Sequence, residues 1–427
     1  MRVLFNTFAA SSHLYPMVSL AWALHAAGHE VRVASQPDLV DTITRTCLPA
    51  VPVGEALEMA RQMQEDTSWR DEDSRAGMDL TENRPEMLTS EFVTRTLDWH
   101  LANIFKHLNT DSVLNDIVEV AREWGPDLVL WDSMTFSGPV AAQACGAAQA
   151  RFLFGQDFIG RMRDHFHRLV GEQPPHLRRD PMADWLGPVV ARSGGHFTEE
   201  LVVGHFSVDA TVPWLRLPVD LEYVPVRYVP YTGAAPVPEW LPERPARPRV
   251  CLTAGLGGRE VMGEEWIPYS VLFEAVADLD IEVIATLDAE QLKTVNAIPD
   301  NVRVFDFFPL NVLVPTCSAV IHHGGGGAFA LALAHGVPQL VMSTELYWDA
   351  IDKARELAER GAAIYLEPDG LTAEVLRDSL VRLLEEPSFR TGAARVQADF
   401  LATPSPNEIV PRIEALTAKH RVRKSAR

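Results

Sequence analysis

Two histidines and four glycines in a row, His322-His323-Gly324-Gly325-Gly326-Gly327, stand between an apolar run and the helical segment AFALALAH. Glycine has no Cβ, so the backbone can turn sharply there and bring its N–H groups close to a ligand. The helix N-terminus that follows offers unpaired N–H donors and the positive end of the helix dipole, a combination that binds phosphate. A neighbouring imidazole supplies one more donor to a phosphate oxygen. A bare strand-to-helix turn needs one or two glycines, and four are costly in chain entropy. The phosphate reading is therefore favoured over a plain turn. No GK[ST] follows and no GxGxxG is present, which argues against NTP hydrolysis and nicotinamide chemistry.

A second pair is His13 and Asp132. His13 falls in AASSHLYP, read as the loop after the first strand, and Asp132 closes the apolar run LVLWD. Both would lie at carboxyl ends of parallel strands, where open α/β sheets bind ligands. A lone loop histidine is more often solvated than catalytic. An Asp that accepts from one ring nitrogen, however, fixes the tautomer and raises the basicity of the other nitrogen. The pair would then be a general base for an alcohol or phenol. Trp348-Asp349 precedes the helix AIDKARELAERG, so Asp349 reads equally as an N-cap and as an acceptor for ligand hydroxyls. Metal binding is not expected. Neighbours on a strand such as His322 and His323 point to opposite faces. His165-Phe166-His167 has helical surroundings and no carboxylate at ligand spacing.

These residues need a scaffold, and the apolar pattern supplies one. RVLFNTF (2–8), HEVRVA, PDLVLWD (126–132) and ARFLF read as buried parallel strands, with helical segments between them. A second series follows: RVCLTA (249–254), IEVIATL (281–287), VRVFDF (302–307), AVIHH (319–323), PQLVM (338–342) and AAIYL (362–366). Residues 52–124 read as mostly helical, with an acidic, mobile stretch near Glu65–Asp79. Residues 170–245 show no clear period. The proline-rich PVPEWLPERPARP (236–248) cannot be a helix interior or a central strand, and reads as a linker. The expectation is an α/β chain of two doubly wound, Rossmann-like domains facing across a cleft. Its divisions are 1–220, a linker at 221–248, 249–400, and a C-terminal helix with a basic, frayed tail at 401–427.

The chain has 427 residues and a formal net charge of −20. The acidic balance argues against a nucleic-acid binder or an anionic membrane surface as partner. Cys47, Cys145, Cys251 and Cys317 are far apart with no CxxC, which fits free thiols in a reducing, cytoplasmic compartment. No stretch approaches the roughly 18 apolar residues a spanning helix needs. Asn6, His13 and Pro16 interrupt any leader-like run at the start.

Taken in order, SHLYPMVSLAWALHAAGHEVRVA, PDLVLWDSMTFSGPVAA, RYVPYTGAAPVPEWL, RVCLTAG, IPDNVRVFDFFPLNVLVPTCSAVIHHGG, HGVPQLV and WDAIDKARELAERGAAI resemble the GT-B glycosyltransferases that attach nucleotide-activated deoxysugars to polyketide antibiotics. The C-terminal half leans toward enzymes of anthracycline-type aglycones. The resemblance implies a TDP-deoxysugar co-substrate in the C-terminal domain, with no further cofactor and no metal. His323 and the N–H groups around Gly325, Gly326 and Gly327 would stabilise the leaving diphosphate. Gly255 would face the phosphates, Phe308 and Pro309 would border the thymine, and Trp348 and Asp349 would contact the sugar. His13, oriented by Asp132, would deprotonate the acceptor for an inverting displacement. The acceptor would sit in the N-terminal domain, with Trp99, Phe105, Phe154 and Trp185 as candidate walls, although core packing is the commoner role of any single one. The family often has a hydroxyl residue where Ala328 stands and Gln where Ala350 stands. Without a hydroxyl at Ala328 the diphosphate would lean harder on backbone donors, and one fewer polar partner at Ala350 suits a donor lacking hydroxyls. Some relatives need a cytochrome P450-like activator protein, for which the 52–124 region offers a surface, and a homodimer stays open. The rival readings are a nucleotide-sugar epimerase of the same fold and a non-catalytic sugar-nucleotide or antibiotic binding protein.

Overall fold

The structure is a computed structural model that describes residues 1–59, 61, 65, 79–171, 173, 174, 176, 178–233, 235–241, 245–255, 267–343 and 348–422. Short runs of Val, Ile and Leu form central strands buried on both faces, as parallel sheets require, while the edge strands are partly exposed. The first sheet holds β1 (Arg2–Asn6), β2 (Glu30–Ser35), β3 (Ala50–Pro52), β4 (Leu128–Asp132), β5 (Ala148–Leu153), β6 (Phe206–Asp209) and β7 (Tyr223–Pro225). Its order is β3-β2-β1-β4-β5-β6-β7, with every pair parallel. The second sheet holds β8 (Arg249–Thr253), β9 (Glu282–Thr286), β10 (Val302–Phe305), β11 (Ala319–His322), β12 (Gln339–Met342) and β13 (Ala363–Leu366). Its order, β10-β9-β8-β11-β12-β13, is again parallel throughout. Strand order reverses between β1 and β4 in one sheet and between β8 and β11 in the other. Those reversals open the crevices where such sheets take ligands.

The helices that matter for the site are α1 (Ser11–Ala26), α2 (Ser90–His100), α3 (Asp111–Trp124), α4 (Ser137–Cys145), α5 (Phe158–Gly171), α6 (Gly326–His335), α7 (Ala350–Glu359) and α8 (Pro406–His420). The α3 ends follow capping rules. The Thr110 side chain accepts from Val113 N–H, and Gly125 closes the helix at φ 65°. Between α2 and α3, Leu101–Phe105 forms a π-turn. Residues 1–211, 216–226 and those from Pro404 onward form one compact unit; residues 212–215 and 227–403 form another.

Several expectations change here. Helix α1 starts at Ser11, so His13 lies in its first turn and not in a loop. Pro16 sits inside that helix, where its missing N–H forfeits one bond near the start without ending the helix. The stretch 221–248 is not all linker, because Tyr223–Pro225 pairs with β6 as an edge strand, where proline is tolerated. The aperiodic region 170–245 also contains β6 and the helix Pro181–Ala191. Part of the C-terminal tail is ordered: α8 packs on α1 and β5, and Arg421 pairs with Asp127. The acidic stretch 65–79 lies almost wholly outside the described residues.

Candidate active site

At the β1–β4 reversal, Asn6 lies opposite Trp131, so the chain leaving β1 and the end of β4 are neighbours. This brings His13 Nδ1 to 2.7 Å from Asp132 Oδ2. Asp132 is fully buried, and its other oxygen accepts from Met134 N–H at 3.0 Å. The imidazole is packed by Phe8 and Phe154, with ring centroids 4.3 and 4.4 Å away. With Nδ1–H donating to the carboxylate, Nε2 is the nitrogen left to take a proton. Phe8 carries no signal in the sequence beyond standing just after the first strand.

The other three candidate wall residues form a separate aromatic chain. Trp99 meets His100 at 5.0 Å, His100 meets Phe105 at 5.9 Å, Phe105 meets Phe136 at 4.9 Å, and Phe136 meets Trp185 at 5.6 Å. Phe105 is buried core, whereas Trp99, Trp185 and Phe154 are half-buried. Burial also holds His100 neutral, with its pKa down to about 4.

At the β8–β11 reversal, His322 lies opposite Thr253. His322 Nδ1 accepts from Gly324 N–H at 2.9 Å, so its proton sits on Nε2 and is donated to Gln339 Oε1 at 2.8 Å. Its two nitrogens are thus used in holding the turn. Burial pushes its pKa down to about 4. Burial, with His322 and the Lys353 ammonium nearby, pushes that of His323 down to about 3. His323 is therefore a neutral imidazole, able to donate one N–H. Its ring is fitted between two glycines. A Cβ on Gly255 would fall 2.9 Å from His323 Cε1, and one on Gly325 would fall 2.7 Å from Nε2. Gly325 is the N-cap residue of α6, and Gly326 and Gly327 open its first turn.

Asp349 occupies the N-cap position of α7 but its side chain caps nothing. It pairs instead with Lys353 Nζ at 2.7 Å, both side chains being buried. Lys353 was missed in the sequence, although its i,i+4 spacing from Asp349 was the available signal. Trp348 takes φ 37°, a left-handed backbone rare outside glycine. Ala350 is buried against Gly324, whose Cβ would meet it at 2.7 Å. Phe308 packs with Phe305 and Trp240 in the core, Pro309 is buried beside it, and the exposed ring of the segment is Phe307. Residues 256–266 and 344–347, beside Gly255 and Trp348, lie outside the described residues. His165 and His167 lie on α5, where His167 joins Glu199 in the Arg163 ion-pair cluster. Among the described residues no group of three or more His, Cys, Asp or Glu is placed to hold a metal ion, and no helix is long and apolar enough to cross a membrane.

Two parallel doubly wound domains, with an imidazole–carboxylate pair at one reversal and a glycine-rich turn into a helix N-terminus at the other, define a GT-B glycosyltransferase. The comparisons agree. Residues 22–255 match the erythromycin biosynthesis protein CIII-like N-terminal domain and residues 270–416 the corresponding C-terminal domain, and the chain belongs to that family. It is 51% identical to aclacinomycin-T 2-deoxy-L-fucose transferase of Streptomyces galilaeus, over 100% of this chain and 98% of that protein. It is 43% identical to TDP-daunosamine transferase of Streptomyces peucetius, over 99% and 98%. Among solved structures, glycosyltransferase VinC in complex with dTDP aligns with a TM-score of 0.88 at 43% identity, covering 98% of this chain and 100% of that one. The protein is thus an enzyme of antibiotic glycosylation.

Proposed function

We propose that the chain transfers a deoxysugar from a TDP-activated donor to a hydroxyl of a polyketide aglycone, of anthracycline type, with inversion at the anomeric carbon. The observation that carries this is the His13–Asp132 contact of 2.7 Å at the β1–β4 reversal. His13 Nε2 takes the acceptor proton as the acceptor oxygen bonds to the anomeric carbon. The bond from that carbon to the diphosphate oxygen breaks in the same displacement, which inverts the centre. Asp132 stabilises the imidazolium formed. Charge grows on the departing diphosphate, and preorganised donors aimed at it are the main source of rate. Neutral His323 and the first-turn N–H groups of α6 supply these, with no metal required. Ala328 in place of a hydroxyl residue leaves the diphosphate to the backbone donors, and Ala350 in place of Gln favours a donor with missing hydroxyls. The relatives named for 2-deoxy-L-fucose and daunosamine transfer support the same donor class. The partners are then the donor and the aglycone, and the turnover test below decides whether this chain also needs the activator protein that some relatives require; the four cysteines, free in this fold, suit a cytoplasmic setting.

The test pairs binding with turnover. Titration with TDP, UDP and ADP, with and without EDTA, should show tight, metal-insensitive binding of TDP. With TDP-2-deoxy-L-fucose and aclacinomycin T as the first substrate pair, His13→Ala should lose at least about 10²-fold in rate and keep TDP affinity. An unchanged rate removes His13 from the mechanism. Equal use of TDP-glucose would sink the deoxysugar selectivity, and full turnover by the purified chain alone would remove the activator.

A further inference from the structure

A general base works only if both members of the pair are held still, and in this chain they come from different elements. Asp132 ends β4 and is braced by the Met134 N–H; His13 rides on α1. One short turn, Phe105–Asn109, reaches both. Asn109 is buried, and its side chain uses its full donor capacity. Its Nδ2 donates to Phe105 O at 2.8 Å and to Met134 O at 3.0 Å, while its Oδ1 accepts from Ser137 N–H at 2.9 Å. It therefore ties both sides of the peptide segment that braces Asp132. From the adjacent residue, Leu108 O accepts from Gln36 Nε2 at 3.1 Å, and Gln36 Oε1 accepts from Ala9 N–H at 2.9 Å. Ala9 directly precedes the N-cap of α1. The turn closes the π-turn Leu101–Phe105, a local distortion common at functional sites.

We propose that Asn109 is a positioning residue for the His13–Asp132 pair, with Gln36 as its counterpart on the His13 side. This rests on His13 acting as the base. Neither residue touches His13 or Asp132 in the contacts above; each acts through backbone groups. Asn is suited to this position: Asp would lack both donors, Ala has no polar atom, and a buried polar network that is only partly satisfied loses more than one bond's worth of order.

The experiment is a double-mutant cycle with a spectroscopic control. Asn109→Ala and the nearly isosteric Asn109→Asp are made alone and in the Asp132→Asn background, with thermal melting and TDP titration to show that each variant is folded. We expect kcat to fall on the order of 10- to 100-fold with KM for donor and acceptor little changed, the signature of a misplaced catalytic group. In the Asp132→Asn background the same substitutions should add less than about 3-fold, because coupled residues are not additive. In proton NMR, the downfield His13 Nδ1–H resonance, assigned by its disappearance in His13→Ala, should be lost to solvent exchange in Asn109→Ala while TDP binding persists. Equal losses in both backgrounds, or an intact resonance in Asn109→Ala, overturn the proposal. Full rates in His13→Ala and Asp132→Asn would instead overturn the general-base reading on which it stands.

Discussion

His322 and His323 are neighbours in the chain and both are neutral for the same main reason: the fold takes them out of water. The consequence is a pH dependence of stability. In the unfolded chain a histidine titrates near its ordinary value of 6.5, while in the fold these two titrate near 4 and 3. His100 and His205 are likewise depressed to about 4 by burial. Between those values the unfolded state binds more protons than the folded one, so stability rises with pH across that window. The contribution is present in full above about pH 6.5 and is lost as pH falls toward 4 and 3. We expect the urea midpoint to drop between pH 7 and pH 5, with the dependence flattened in His322→Gln. A midpoint that rises on acidification would mean these imidazoles are charged in the fold. The Glu199 carboxyl, held down to about 2 by Arg163 and His167 despite burial, adds its own loss only below the ordinary carboxylate range.

The loops that leave β8 and β11 set His323 by what they lack. A methyl on either Gly255 or Gly325 would strike the imidazole, and Gly255 also holds φ 69°. Gly325→Ala should therefore displace His323 and weaken TDP binding by about 10-fold or more, the loss of one hydrogen bond to a charged group. Gly171→Ala, at a position with nothing within 4 Å of the added methyl, is the matched control. Calorimetric titration decides; equal affinities would show that His323 is not a diphosphate donor. The same elements show what can be read from a sequence. The strands of both series were legible because parallel, doubly buried strands are continuous apolar runs. The residues at their carboxyl ends, His13, Asp132, Gly255 and His323, were legible because β–α chemistry concentrates there. The start of α1 was not, since Pro16 mimics a boundary. Strand β7 was not, since an edge strand needs few apolar residues. Lys353 had its i,i+4 spacing from Asp349 as a signal, but Phe8 and Asn109 were hidden: their contacts lie between elements, which periodicity does not encode.

At the scale of the whole molecule, sequence order and structural membership part company at the end of the chain. Helix α8 follows the second unit in sequence but belongs to the first. Ser405 and Glu408 form a capping box with Pro406 at its first position, which starts the helix sharply. Ile409, Ile413 and Leu416 are buried on its inner face, and His29 Nε2 reaches Glu414 at 2.9 Å. A change in this helix should be felt in the first unit, although every strand of the second lies before it in the chain. Ile413→Ala leaves a cavity costing about 2–5 kcal/mol. A ligand bound only to the folded second unit stabilises that unit by mass action. We therefore expect calorimetric unfolding to resolve two transitions, since multi-domain chains need not be two-state. TDP should raise one of them and Ile413→Ala should lower the other. A single transition moved by both would show that the two units unfold as one cooperative body. The α8 helix would then stabilise the glycine-rich turn before α6 as well as the unit it packs on.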